Sequence, residues 1–231
     1  MKYMWEGRFK ELIDNDVIKY TKSIDIDKKL AFYDIEGSIV HAKMLFKVGL
    51  ITKKEKEEIL NGLKKIKKEI IENKFKFLSS DEDIHTAIER RLTELIGKTG
   101  EKLHTARSRN DQIVLDEKLY LRDEIIDLLK KITELQIVFL DKSQTYFGEI
   151  ISAYTHLKQS QVILISHYFN AFIEKLERDK ERFLEVYKRI NILPLGVGAC
   201  AGTSLPIDRK YMAKLLNFNE VSRNSLDTVS D

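Results

Sequence analysis

Positions 102–112 read KLHTARSRNDQ, gathering Arg107, Arg109, Asn110, Thr105 and Ser108 with only Leu103 and Ala106 apolar. Guanidinium groups pair with anionic oxygens through parallel N–H donors, and the neighbouring hydroxyls and amide add neutral donors. A polycarboxylate or a phosphate fits that donor set. A capping loop with a surface ion pair to Asp111 fits it as well. Nucleic acid fits poorly, because no aromatic side chain stands among the arginines to stack on a base.

A second group is Tyr154-Thr155-His156, in a polar gap between two apolar, helically spaced stretches. An imidazole with an ordinary pKa of about 6.5 suits proton transfer near neutrality, and a hydrogen-bonded structural histidine is the plainer alternative. His85 and Glu89 lie four apart, but no third residue at a recognisable ligand spacing joins them and the HExxH pattern is absent. No metal site is expected. Gly196, Gly198 and Gly202 read GxGxxxG with no strand before them, which excludes a dinucleotide site. Cys200, between two alanines, reads as a small buried residue.

The elements that must position these groups are mainly α-helices. Only two prolines occur, Pro194 and Pro206, and apolar residues recur at helical spacing while period-2 alternation is sustained nowhere. A helix is predicted from Lys28 to Val48, with Ile35, Ile39, Ala42 and Phe46 on one face and Gly49 at its end. Thr52 with Glu55 forms a capping box for a second helix, and a third runs from near Ser80 to Gly97. Leu121, Ile125, Leu128, Ile132, Leu135 and Phe139 form a long seam, and Val162, Ile165, Phe169, Phe172 and Leu176 carry the same rhythm beyond the polar gap. The expected organisation is an N-terminal helical domain over 1–105 and the first part of a long-helix bundle over 106–231. NSLDTVSD at 224–231 reads as a cap and first turn with no helix body after it.

With 231 residues, 43% of them hydrophobic, the chain has ample material for a core. Charged residues make up 33%, yet the net charge is only +3, so both signs are interspersed and no basic surface for nucleic acid is indicated. A single cysteine excludes an internal disulfide framework, and neither a signal peptide nor a membrane span is expected, which points to a soluble cytoplasmic protein.

In order along the chain, WEGRF at 5–9, DEDIH at 81–85, ERRLTELIG at 89–97, KLHTARSRNDQ, YTHL at 154–157, RINILPLGVGACAGTSLPIDR at 189–209 and NSLDTVSD resemble successive blocks of the argininosuccinate lyase family, in the fumarase/aspartase superfamily. The resemblance implies cofactor-free β-elimination of argininosuccinate to arginine and fumarate, in arginine biosynthesis, by a homotetramer whose active sites are each shared between three subunits. It implies His156 as the acid/base residue and Ser23, Asn110 and Thr155 as substrate-binding residues. Arg109, Arg209 and His85 fall at further positions of the family's site. Ala106 and Ala153 stand where the family has glycine, Lys158 where it has glutamine, and Val162 where it commonly has proline. A methyl group at Ala106 strains the loop if that position requires φ > 0. The family's serine-bearing mobile loop is expected beyond Asp231, so the chain corresponds to the N-terminal half of such an enzyme. A non-catalytic relative of the lens delta-crystallin kind is the alternative.

Overall fold

The structure, a computed structural model, describes residues 14–231; the WEGRF segment lies outside the described residues. Two short helices, α1 (Asn15–Thr21) and α2 (Ile24–Asp27), lead through a 3-10 turn at Lys28–Leu30 into α3 (Ala31–Lys47). The helices α4 (Lys53–Ile71), α5 (Ile84–Ile96) and the single turn α6 (Lys98–Glu101) follow, and α7 (Arg109–Thr145) runs for 37 residues. A hairpin of β1 (Ile150–Thr155) and β2 (Lys158–Leu164) precedes α8 (Ile165–Ile190). The chain then passes through β3 (Ile192–Leu193), α9 (Arg209–Leu215), β4 (Glu220–Val221) and α10 (Ser225–Thr228).

The mainly helical class holds, and local signals set the helix ends. Thr52 Oγ1 accepts from the Glu55 amide while the Glu55 carboxylate accepts from the Thr52 amide, the predicted capping box. Asp83 caps α5 by accepting from the Thr86 amide at 2.6 Å, three residues later than the start predicted near Ser80. Asn224 accepts from the amides of Leu226 and Asp227, so NSLDTVSD does form a cap and a single turn.

The hairpin is a correction to the almost all-helical reading. Thr155 pairs with Lys158 across a two-residue turn, His156 at φ 51° and Leu157 at φ 61°. Two left-handed turn residues match the right-handed twist of paired strands. The register slips between Ser152 and Tyr154, which breaks the period-2 pattern that would have announced a strand. Helix α8 consequently begins at Ile165, and Val162 belongs to β2.

Two compact units result: the described residues up to 120 with 192–231, and residues 121–191. Neither boundary coincides with the expected break at 105/106, because the first third of α7 packs with the earlier helices and the segment after Asn191 adds to the same core. In the first unit, Ile35, Met44 and Leu45 of α3, Ile59, Leu63 and Ile66 of α4, Ile84, Ile88 and Leu92 of α5, and Leu115 of α7 are fully buried. Leu193, Met212 and Phe218 join this core from the C-terminal segment. At Gly37 a Cβ would meet Leu115 Cδ2 at 2.7 Å, so the missing side chain is what lets α3 approach α7.

In the second unit the two seams face one another through a limited contact. Phe139 stacks on Phe172 at 5.3 Å, and Ser143 and Gln136 bond to α8 through Asn170 and the Ile173 carbonyl. Ile125 and Ile132 are buried, but Leu121, Leu135, Ile137, Val138 and Leu140 remain more than two-fifths exposed. Among the described residues no helix is long and apolar enough to cross a membrane.

One core residue couples the fold to pH. His41 of α3 is fully buried and donates from Nε2 to the Thr105 carbonyl at 2.8 Å. Burial, then the charges of Arg107 and His104, push its pKa down to about 3, against the opposing pull of that carbonyl. The unfolded chain therefore takes up a proton below about pH 6.5 that the folded chain refuses, and stability falls with pH by up to about 1.4 kcal/mol per unit. Urea unfolding between pH 7 and 5 should show this loss, and His41→Gln, which keeps a donor for Thr105 but cannot titrate, should flatten it.

Candidate active site

The donor-rich segment 102–112 turns largely inward. Asp111, fully buried, accepts from the amides of Gly196 and Gly198 at 2.9 Å each through Oδ2, and from the Ser108 amide at 3.0 Å through Oδ1. Burial raises its carboxyl above the usual range despite these three donors. The surface ion pair expected of Asp111 is thus replaced by a buried staple on the glycine loop, a pairing invisible to sequence because 85 residues separate the partners. Gly198 sits at φ 64° with the Gly202 carbonyl only 2.8 Å from where its Cβ would be, so the loop accepts no side chain there.

Arg107 donates to Ser38 Oγ at 2.9 Å and lies 3.5 Å from Glu89. Arg109 bonds Gln112 at 2.8 Å and pairs with Asp83 at 3.3 Å and Glu89 at 3.4 Å. Glu89, which the sequence coupled with His85, accepts instead from His104 Nδ1 at 2.8 Å. Burial alone would raise its carboxyl, but His104 and the two arginines hold it below the ordinary value. Asn110 donates from Nδ2 to the Ala199 carbonyl at 3.1 Å. Each of Arg209's three nitrogens bonds the chain itself, with Leu195 O, Leu193 O, Ser222 O and Ser222 Oγ accepting at 2.7–3.2 Å. Cys200, expected to be buried, is exposed, because the loop between Gly198 and Gly202 turns outward.

Ser23 and His85 do come together, around a cavity of about 450 Å³ whose wall also includes Asp27, Ile113, Glu117 and Tyr120. The Ser23 amide donates to the Glu82 carbonyl at 3.0 Å, and its hydroxyl donates to Asp27 Oδ2 at 2.6 Å. Tyr120 packs edge-on against Tyr33 with ring centroids 5.9 Å apart.

Behind His85 lies a group that the sequence reading missed. Its Nδ1 is 3.0 Å from Asp34 Oδ1 and 3.3 Å from Asp116 Oδ2, and all three side chains are about 1% exposed. Gln112 donates to the same Asp34 oxygen. Two carboxylates a few ångströms apart repel by about 4 kcal/mol even at an effective dielectric constant near 20, so one of this pair keeps its proton. Burial and the neighbouring Asp34 push the Asp116 carboxyl well above the usual range. Burial opposes ionisation of Asp34 too, but His85, Arg107 and Gln112 outweigh it and hold that carboxyl far below the usual range. The available signal was a polar stripe on each helix: Asp34, Ser38 and His41 on α3, and Gln112 and Asp116 on α7.

Thr155 and His156 belong to the second unit, at the end of β1 and in the hairpin turn, where both are exposed. Ala106 sits at φ 61°, so the position does require the left-handed region that a glycine adopts freely.

This fold is that of helical lyases. A solved EDDS lyase variant with bound fumarate superposes with a TM-score of 0.79 at 28% identity, over 89% of this chain and 40% of that one. A fumarate lyase from Brucella melitensis shares the fold at a TM-score of 0.74 and 15% identity, over 90% of this chain and 51% of that one. The family model described as "Lyase" matches residues 7–231, and the chain belongs to that family. It is 49% identical over 229 residues to a protein named argininosuccinate lyase from Sulfurihydrogenibium sp. (strain YO3AOP1), covering 99% of this chain and 50% of the relative. A protein of the same name from Syntrophus aciditrophicus (strain SB) is 50% identical over 98% of this chain and 48% of its own length. The chain spans about half the length of the curated relatives it matches.

Two substitutions test the local account. Ala106→Gly should stabilise the protein by about 0.5–1 kcal/mol in urea unfolding, by relieving the left-handed alanine. Asp111→Ala strips the Gly196 and Gly198 amides of their acceptor and should cost about 2–4 kcal/mol, with faster amide exchange in 194–202.

Proposed function

We propose that the chain is part of an argininosuccinate lyase that cleaves argininosuccinate reversibly to arginine and fumarate in arginine biosynthesis, in the cytoplasm. The observation that carries this reading is the 49–50% identity, over nearly the whole chain, to proteins of that name. In the reaction a base takes the proton from the carbon beside a carboxylate, negative charge grows on the carboxylate oxygens, and the C–N bond then breaks as the leaving guanidino nitrogen is protonated. Donors fixed in advance around those oxygens give the largest catalytic effect.

His156 acts in proton transfer and Thr155 binds substrate beside it. Ser23 and Asn110 bind substrate from the first unit. His85 lines the same cavity as Ser23, which supports a place for it at the substrate. Arg109 and Arg209 shape the site chiefly through the carboxylates and carbonyls they hold, a reading that rests on the partners given above. No cofactor or metal takes part.

A homotetramer with active sites shared between three subunits is proposed for the assembly. Its support is the apolar surface along α7 and α8, where Leu135, Ile137, Val138, Leu140, Leu184 and Val186 are all more than two-fifths exposed. Residues of that kind along a helix call for further helices against them.

The purified protein incubated with argininosuccinate should release fumarate, followed by its ultraviolet absorbance; no fumarate from a tetrameric preparation overturns the reading. His156→Asn should lower kcat by about 10²- to 10⁴-fold while KM changes far less. Equal effects on the two constants would remove His156 from the proton-transfer role.

A further inference from the structure

We propose that Asp34 is a positioning residue for His85, accepting its Nδ1–H from behind so that Nε2 is presented to the cavity that Ser23 lines, with Asp116 a neutral neighbour in the same buried group. The inference deepens the reading above and rests on it for the identity of the substrate.

Geometry carries it. His85 reaches the pair through one nitrogen, with Nδ1 3.0 Å from Asp34 Oδ1 and 3.3 Å from Asp116 Oδ2. A carboxylate oxygen can only accept, so Nδ1 is the protonated nitrogen. The imidazole is itself in the wall of the cavity, which leaves Nε2 as the nitrogen available to a bound molecule. The group is built from three elements: Asp34 on α3, His85 on α5, and Gln112 and Asp116 on α7. Asp34 bonds the ring from α3 and Gln112 bonds Asp34 from α7, and together they restrict the ring's rotation and its exchange of tautomers.

The charges facing the group agree with this role. Arg107, just before α7, donates to Ser38 and leaves Nε and Nη2 without a hydrogen-bond partner, so its charge is available to Asp34. Both Asp116 oxygens and Asp34 Oδ2 also lack a conventional partner. One proton held between the two carboxyl groups satisfies one oxygen of each, and burial keeps it on Asp116. Asp27, which shares the cavity, is occupied by Ser23 and the Ile84 amide, and Glu89 and Arg109 are occupied with each other.

Ligand atoms of Asp34, His85 and Asp116 lie within 4.8 Å of one another, a spacing that a metal ion could also exploit. A cation there would compete with Arg107 for Asp34 and would displace the Gln112 hydrogen bond to the same carboxylate. Proton sharing requires neither change.

The two carboxyl groups therefore have unequal tasks, and paired variants of the full-length protein separate them. Asp116→Asn replaces a neutral acid by a neutral amide of the same shape and should keep kcat/KM within about twofold. Asp34→Asn removes the charge that fixes Nδ1–H and should lower kcat/KM by about 10- to 100-fold. Solid-state ¹⁵N NMR of histidine-labelled protein, with the His85 signals identified by their loss in His85→Gln, reads the tautomer without any turnover. The expected result is a protonated Nδ1 in the wild type and in Asp116→Asn, and loss of that preference in Asp34→Asn. A protonated Nε2 with a bare Nδ1 in the wild type overturns the inference. So does Asp116→Asn being as damaging as Asp34→Asn, or a stoichiometric metal by elemental analysis that Asp116→Asn abolishes. If the wild type leaves argininosuccinate intact, the functional reading fails while the NMR result still decides the positioning role.

Discussion

A charge moved out of water has to be balanced where it ends up, and the first unit is arranged around that requirement. Asp34, His85, Arg107, Asp111 and Asp116 are all buried where α3, α5 and the start of α7 meet. An isolated buried carboxylate costs several kcal/mol, so each of these groups is tolerable only while its partners hold their places. The apolar residues beside them, Ile35, Ile88 and Leu115, drive the helices together. The polar ones restrict which register is acceptable, because a one-turn slip of α7 would carry Asp116 about 5 Å from His85 and leave both unpaired. Hydrophobic burial supplies the energy and the polar layer supplies the uniqueness.

The same constraint explains the segment KLHTARSRNDQ. An arginine-rich loop reads as a surface for anions, yet its two arginines face protein carboxylates and its aspartate holds two glycine amides. Its first task is architectural: it ties α5, α7 and the 194–202 loop to one point. Its donors are held in a fixed frame, and donors that must reorganise during a reaction lose much of their electrostatic value. Ala106 fits the same picture, keeping a glycine-like backbone at some cost in strain.

The second unit obeys a different balance. Two long helices and a hairpin bury Ile125 and Ile132 but leave much of their apolar surface open, and few buried charges fix their register. The proposed subunit contacts would complete there what the first unit completes within one chain. His156 and Thr155, carried on the hairpin, belong to the part of the molecule that is least finished by itself.

Helical class, most helix positions, the capping box at Thr52 and the short turn at Ser225–Thr228 were legible in the sequence, because capping and apolar spacing act over a few residues. So was the family, through the order of its blocks. The hairpin at 150–164 was not, because a bulge broke its alternation and its turn rests on the left-handed φ of His156 and Leu157, which neither residue type announces. Nor were the partners of the site residues. That Asp111 holds Gly196, that Glu89 serves His104 rather than His85, and that Asp34 and Asp116 converge on His85 follow from helix-against-helix register between residues up to 85 positions apart. Residue types and local spacing fix which groups are available, and the packing of distant helices decides which of them meet.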